Sequence, residues 1–468
     1  ALCEVHIAAV MAEYLRGEEV YPEGCSPFSI LSPNILRDET NTRTDHAGGQ
    51  SDTVFTLDSL LTQLECCALM LDRAERYEQL GNLYRLLVPI YEQRRDYSAL
   101  VHCYSHLYQA YTRVVEVNNS QKRLLGRYFR VVFYGVVYFE DEAGKEYVYK
   151  EPKVTSLAEI SERLNLQYCE KFGKENVKLI MDSNFVDADE LDARFAYIQV
   201  THVVPYFNEL EQPNRQTEYE RNNNINQFVF ETPFTRTDAE VNQNDIGDGE
   251  QRVKPKPKAH GRLQDQWKRR VIISTSYCFP YVQKRIPIVD TQIQEMSPIE
   301  VAIDEMESRV KELTEIIDKK PTDIKKLQLK LQGSISVQVN AGPLAYATTF
   351  LQDARLSIAM SDTVSLASNS DCATYPVNQV ARLREVYRQF MVTCKLALDL
   401  NASLISSDQC EYQMALESTY AELLSALESV LGSSSLHNAS LNNRGSHGSN
   451  YGGAYLSLFG HGGAGVDC

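Results

Sequence analysis

The sequence predicts a mostly α, α+β fold in three lobes: a helical-repeat lobe, a lobe of two antiparallel β-sheets and an antiparallel helical-bundle lobe. Three observations predict it. Apolar residues recur at steps of three and four through roughly 54–115, the spacing of one helix face. From Arg127 the texture changes to β-branched and aromatic runs. From Ser297 the helical spacing returns.

In the first lobe, set at residues 1–121, Leu57, Leu60, Leu61, Leu64, Ala68 and Leu71 share a face. Leu80, Leu83, Tyr84, Leu87 and Tyr91 form a second stripe, and Tyr97, Leu100, Val101, Tyr104, Tyr108 and Tyr111 a third. The polar breaks at Asp72–Arg76 and Arg94–Asp96 suit tight turns between antiparallel helices. Pro89 is expected to kink or shorten the second helix. Residues 1–17 read as a further helix and 37–52 as a loop. The chain begins at Ala1 and opens directly into that helical pattern, as a segment of a longer protein would.

The β lobe is set at residues 122–291. Strands are expected at 128–134, 147–149, 196–204, 226–230, 271–277 and 285–289, with a helix over Leu157–Phe172. Residues 236–262 are polar and contain Lys254, Lys256 and Lys258 between prolines, which reads as a solvated loop. The bundle lobe is set at 292–432. Ser297-Pro298-Ile299-Glu300 has the form of a capping box with proline at the first helical position. Ile299, Ile303, Met306, Val310, Leu313 and Ile317 follow as a narrow stripe that needs helical partners. Val380, Leu383, Tyr387, Phe390 and Cys394 supply one, and Tyr412, Leu416, Tyr420, Leu423, Leu427 and Val430 another. Residues 433–468, rich in Gly, Ser and Asn, read as a disordered tail.

Composition narrows the function. With 43% hydrophobic residues the chain has material for buried cores, which excludes a wholly disordered protein. A net charge of −16 gives no global field to attract nucleic acid. No apolar run nears the roughly 20 residues of a membrane-spanning helix. Eleven cysteines without C-x-x-C or zinc-type spacing read as reduced core residues of a cytoplasmic protein. Phosphate-loop, metalloprotease and nucleophile-elbow motifs are missing from the sequence.

One segment breaks the bundle pattern. Ile324, Leu327 and Leu331 keep helical spacing, and Leu344, Phe350 and Leu351 resume it. Between them, Gly333-Ser-Ile-Ser-Val-Gln-Val339-Asn-Ala-Gly342-Pro343 alternates like a strand. A lone strand there would leave its backbone groups unpaired, so an insertion loop bounded by Gly333 and Gly342-Pro343 is the alternative reading.

That segment, Leu327 through Ala347, resembles the nucleotide-sensor region of the DOCK homology region two domain, most closely in the zizimin subgroup of these Rho-family guanine-nucleotide exchange factors. Arg127–Gly135, Glu146–Pro152, Ala196–Pro205, Pro298–Met306, Glu75–Glu78 and Pro89–Asp96 also resemble that domain. The resemblance spans about residues 1–432 and departs at 236–262, at an enlarged loop over Asp353–Tyr375 and in the tail.

The resemblance implies three lobes, with homodimerisation through the first and a GTPase gripped by the other two. It implies that Val339 acts as the nucleotide sensor, approaching the nucleotide's magnesium site. Gly333, Gln338, Asn340, Ala341, Gly342 and Pro343 would contact the GTPase. Gln199 and His202 join them as candidates on a β-strand, against the simpler reading of a solvated strand face. Tyr84, Leu87, Tyr91 and Tyr104 are the candidate dimer residues, on tyrosine-rich faces that would otherwise be repeat core. No cofactor, metal or nucleic acid is implied, and membranes would be reached only through other domains. Among GTPases, the cell division control type is implied over Rac. A helical scaffold that only binds protein partners is the alternative, and it has no reason to be sensitive to Val339.

Overall fold

A computed structural model describes the chain except for residues 39–54, 121, 122, 124, 236–261, 337–341, 361–374, 407, 408 and 432–468. Most of the loops expected at 37–52 and 236–262, and the whole tail, therefore lie outside the described residues; Arg37 and Asp38 are helical. The rest falls into two compact units. One comprises 1–232 with 269–295, the other 233–268 with 296–468.

In the first unit, helices α1 (Leu2–Gly17), α2 (Leu57–Arg73), α3 (Tyr77–Arg94) and α4 (Tyr97–Ser120) surround one core. Thr56 and Ser59 cap α2 reciprocally, each side chain accepting the other's backbone N–H. The two tight turns close through left-handed residues, Glu75 and Arg95, each two positions before a tyrosine that starts the next helix. Pro89 does not shorten α3, which runs through it to Arg94. Its neighbours Leu86, Leu87, Ile90 and Tyr91 are buried, so tertiary packing holds the helix past the lost hydrogen bond.

All six expected strands form, as β1 (Arg127–Tyr134), β2 (Glu146–Glu151), β4 (Ala196–Pro205), β5 (Ile225–Thr235), β6 (Gln266–Phe279) and β7 (Arg285–Met296). A seventh, β3 (Val177–Ile180), runs parallel to β4. The expectation of two separate, wholly antiparallel sheets needs correcting. The strands connect in the order β1-β2-β7-β6-β5-β4-β3, and β1 also pairs with β4, so six of them close into a barrel-like circuit. The physical reason is the length of β4. Tyr197–Gln199 pair with both β1 and β3, and Val204 and Pro205 still reach β5.

Strand β1 is buried on both faces. Phe129, Val131 and Phe133 pack against Ile160, Leu164 and Tyr168 of α5 (Leu157–Phe172). Tyr128 points the other way, against Phe228 and Phe279. The period of two explains how one strand serves two cores. Ser156 and Glu159 close the expected helix start with a capping box.

The second unit is the bundle: α6 (Pro298–Asp318), α7 (Ile324–Ile335), α8 (Pro343–Met360), α9 (Val377–Leu404) and α10 (Cys410–Leu431). The Glu300 carboxylate accepts from the Ser297 N–H and hydroxyl at 2.8 Å each. Every stripe residue expected on α6, α9 and α10 lies in or against the bundle core. Helix α8 continues to Met360, where a loop was expected from Asp353. Ala354, Leu356, Ala359 and Met360 are strong helix formers, which accounts for the extension.

Candidate functional site

The break in the bundle pattern is a break in a helix. α7 ends at Ile335, Ser336 is extended, and α8 begins at Pro343. Val339, Gln338, Asn340 and Ala341 lie outside the described residues. The posts on either side of them are well anchored.

On the α7 side, Leu327, Leu331 and Ile335 are wholly buried in the bundle core. The Ser334 hydroxyl donates back to the Lys330 carbonyl at 2.7 Å. Arg309 of α6 donates to the Gly333 carbonyl at 3.4 Å, and Tyr412 of α10 to the Gln332 side chain at 3.3 Å. Asp323 caps the helix start by accepting the Lys326 N–H. On the α8 side, Gly342 and Pro343 are buried. The Gly342 carbonyl accepts the Tyr346 N–H at 3.1 Å, and the Pro343 carbonyl accepts a hydrogen bond from the Tyr387 hydroxyl. Tyr387 is itself fully buried, and burial pushes its phenol well above the ordinary value, so it remains a donor.

Gly333 was expected to bound the insert with unusual backbone angles. It lies instead within the last turn of α7, with open space where a Cβ would stand. Its helical neighbours Leu331 and Ile335 are core residues, so packing overrides the low helix propensity of glycine. The insert is therefore shorter than the motif suggests, spanning 336–342.

In the sheet, Gln199 was a candidate partner contact. It is wholly buried. Its amide donates to the carbonyls of Asp182 and Asn184 at 2.6 and 2.8 Å and accepts from Arg130 at 3.1 Å. Arg130 in turn grips Glu146 through two bonds of 2.6 Å. Gln199 thus fixes the loop after β3 and presents nothing at the surface. His202, three residues on, is exposed and edge-on to Phe129 at 5.6 Å. Partial burial and the neighbouring Arg127 charge hold its pKa below the usual value.

Three of the four dimer candidates are also interior residues. Tyr84, Leu87 and Tyr91 are core, with the two hydroxyls tied to His106 and Glu65 at 2.6 Å. Tyr104 is exposed. Tyr97, Val101, Tyr108, Tyr111 and Val115 share its face of α4 at alternating steps of four and three, and all are exposed. The sequence showed these residues but not which side of α4 faced inwards. Exposed Met181, Phe185 and Leu210 in the loops after β3 and β4 were not singled out at all, because isolated apolar residues in polar loops carry no period. Among the described residues, no group of three or more His, Cys, Asp or Glu stands where it would hold a metal ion. No helix among them is long and apolar enough to cross a membrane.

Comparison with known proteins places this architecture. Residues 1–116 match the family DHR-2, Lobe A, residues 183–278 match DHR-2, Lobe B, and residues 312–430 match DHR-2, Lobe C. Over 445 residues the chain is 45% identical to dedicator of cytokinesis protein 9 of Mus musculus, covering 92% of this chain and 20% of the relative. It is 43% identical over 431 residues to dedicator of cytokinesis protein 11 of Danio rerio, with 92% and 19% covered. Against dedicator of cytokinesis protein 7 of Homo sapiens the identity is 37% over 438 residues, with the same coverage. The chain spans about a fifth of the length of these relatives. With lobes A, B and C matched in that order along one sequence, the chain belongs to the DHR-2 domain family of the dedicator of cytokinesis proteins.

Proposed function

We propose that this chain is a guanine-nucleotide exchange factor of the zizimin subgroup, acting on a Rho-family GTPase of the cell division control type in preference to Rac. What supports this is membership of the DHR-2 family together with a helix interrupted inside a packed core. The last turn of α7 and the first turn of α8 are both tied into the bundle, so residues 336–342 issue from fixed posts. Function concentrates on loops held by rigid scaffolds.

Val339 is the proposed sensor. Magnesium beside a bound nucleotide bridges phosphate oxygens and keeps several waters in an octahedral shell. A branched apolar side chain in that space supplies no ligand oxygen and excludes water. Losing the ion removes charge compensation from the diphosphate, and nucleotide affinity falls. By linkage, an incoming magnesium–nucleotide complex weakens the hold of the exchange factor to the same degree. Gln338, Asn340 and Ala341 are proposed to contact the GTPase. Gly342 and Pro343, being buried, are proposed to position the insert.

The test is release of a fluorescent guanosine diphosphate from a panel of Rho-family GTPases, with Val339→Ala beside the unaltered chain. Two carbon atoms at about 0.8 kcal/mol each set a scale of about tenfold slower release. Unchanged release by the variant would sink the sensor role, and no release from any GTPase would leave a binding scaffold. Faster release from Rac than from the cell division control type would reverse the preference alone. The exposed stripe on α4 supports homodimerisation through the helices of residues 1–120.

A further inference from the structure

Within the first compact unit, where the helices meet the sheet, lies a cavity of about 380 Å³. Leu31, Leu71 and Leu125 give it an apolar wall, and Arg76, Gln79 and Lys150 bring polar groups to it. Arg76 is the residue that precedes α3, and its side chain makes no capping hydrogen bond there. It is 9% exposed, and its Nη1 is buried without a hydrogen-bond partner. Gln79 is 5% exposed, and its Oε1 likewise has no partner.

The charges around this cavity do not balance among the described residues. Among the described residues, no carboxylate lies at ion-pair distance from Arg76 or Lys150. Glu78, the carboxylate whose charge acts on Arg76, is held by Arg123 through both oxygens at 2.8 and 3.0 Å. Asp38 is occupied by the Tyr281 hydroxyl and by His6. Lys284 adds a further positive charge beside Lys150. Burial pushes the Lys150 ammonium down to about 8, with Arg76 and Lys284 contributing. A buried charge is tolerated where a partner and hydrogen bonds compensate it. Here two cationic side chains line a shared space, and among the described residues no carboxylate compensates them.

We propose that this cavity is a binding site for a phosphomonoester, with Arg76 and Lys150 holding the phosphoryl group and the leucine wall holding its carbon portion. A phosphomonoester carries close to two negative charges at neutral pH, which matches two cations; a carboxylate would leave one uncompensated. The planar guanidinium of Arg76 suits two parallel bonds to phosphoryl oxygens, and the ammonium adds a point charge. A mostly apolar wall with a few convergent polar groups is the usual make-up of a small-ligand site. The phosphoryl group can come from a soluble metabolite or from a lipid headgroup.

The experiment titrates the chain, in phosphate-free buffer, with inorganic phosphate and with glycerol 3-phosphate by calorimetry. Parallel samples use phosphatidylcholine vesicles with and without phosphatidic acid, and acetate is the carboxylate control. Arg76→Met and Lys150→Met are measured alongside. Saturable binding of a phosphoryl probe is expected, weakened about tenfold or more in each variant, the scale of one charge-assisted contact. Binding in solution assigns a soluble ligand, and binding to phosphatidic acid vesicles alone assigns a headgroup. Both variants are also expected to melt no lower than the unaltered chain when no ligand is present, since each loses a partly or wholly desolvated cation that has no carboxylate partner among the described residues. Absence of binding to every probe overturns the proposal. So does binding that both variants retain, or acetate binding as tightly as phosphate.

Discussion

At the scale of single residues, the cavity beside α3 gives stability a pH dependence of known sign. The folded chain holds the Lys150 ammonium down at about 8, against an ordinary value of 10.5, chiefly through burial and then through Arg76 and Lys284. Between those values the unfolded chain binds more protons at this site. Stability from Lys150 therefore rises with pH across that window, and below about 8 its full cost is present. Lys150→Met removes the term. In urea unfolding without phosphate, the variant is expected to be the more stable at pH 7, with the difference shrinking towards pH 10. Parallel curves for the two proteins would contradict this, because all other titrating groups cancel in the difference. Other residues show how far a sequence carries at this scale. Val339 stood out only through a motif, since a valine among alternating residues has no chemistry of its own to announce it. Gln199 looked like a surface candidate because a strand's period says which residues share a face but not which face is covered. Its burial follows from the loop at 182–184 folding over it, a contact of long reach that no local pattern records.

At the scale of elements, α4 is the instructive case. Leu100, Cys103, Leu107, Ala110 and Val114 face the core, while Tyr97, Val101, Tyr104, Tyr108 and Tyr111 face outwards. A helix that is apolar on both sides is buried on both sides in most proteins. Heptad-like spacing of the outer set suits a second helix, and in the proposed homodimer a second copy of α4 would satisfy it by two-fold symmetry. Tyr104→Asp with Tyr108→Asp is expected to halve the mass seen by light scattering at micromolar concentration without altering the helical content. Leu87→Ala should do the opposite: a loss of about 2–5 kcal/mol in stability with the assembly retained. A dimer that persists in the double aspartate variant, or an unaltered chain that is already monomeric, would rule out this face. Elsewhere the elements were legible wherever periodicity and a terminus signal agreed. The start of α6 was located by its capping box, and Leu157–Phe172 by the shared face of Leu157, Ile160, Leu164 and Tyr168. β3, at four residues, is too short for alternation to register, and it is held by its parallel pairing with β4. The insert was legible as an interruption but not in its extent, since Gly333 was read for its propensity while its place in α7 is set by Leu331 and Ile335 on either side.

At the scale of the whole molecule, the chain divides into two compact units drawn from interleaved stretches of sequence, while the lobe A, B and C matches run consecutively along it. The sequence leaves 232/233, 268/269 and 295/296 as crossing points inside or beside long strands, and strand texture does not change there. Closure of the strands through β1 and β4 joins residues far apart in sequence, and it is beyond local pattern for the same reason. The cysteines give each unit its own reporter. Cys25, Cys67 and Cys103 are buried among the helices of the first unit, and Cys394 is wholly buried in the bundle. Burial pushes the Cys67 thiol up to about 12 and raises that of Cys394 as well, so both are protonated and shielded in the folded chain. Cys3 and Cys410 are exposed. A pulse of iodoacetamide at neutral pH, read by mass spectrometry across a urea series, should label Cys3 and Cys410 at once. Cys25, Cys67 and Cys103 share one core and should lose protection at a single urea concentration. Cys394 should follow the bundle's own transition, because cores built from separate residue sets need not unfold together. If Cys25, Cys67 and Cys103 became reactive at clearly different urea concentrations, the helices of residues 1–120 would not be one cooperative core, and the anchoring of α4 to α3 would have to be reconsidered.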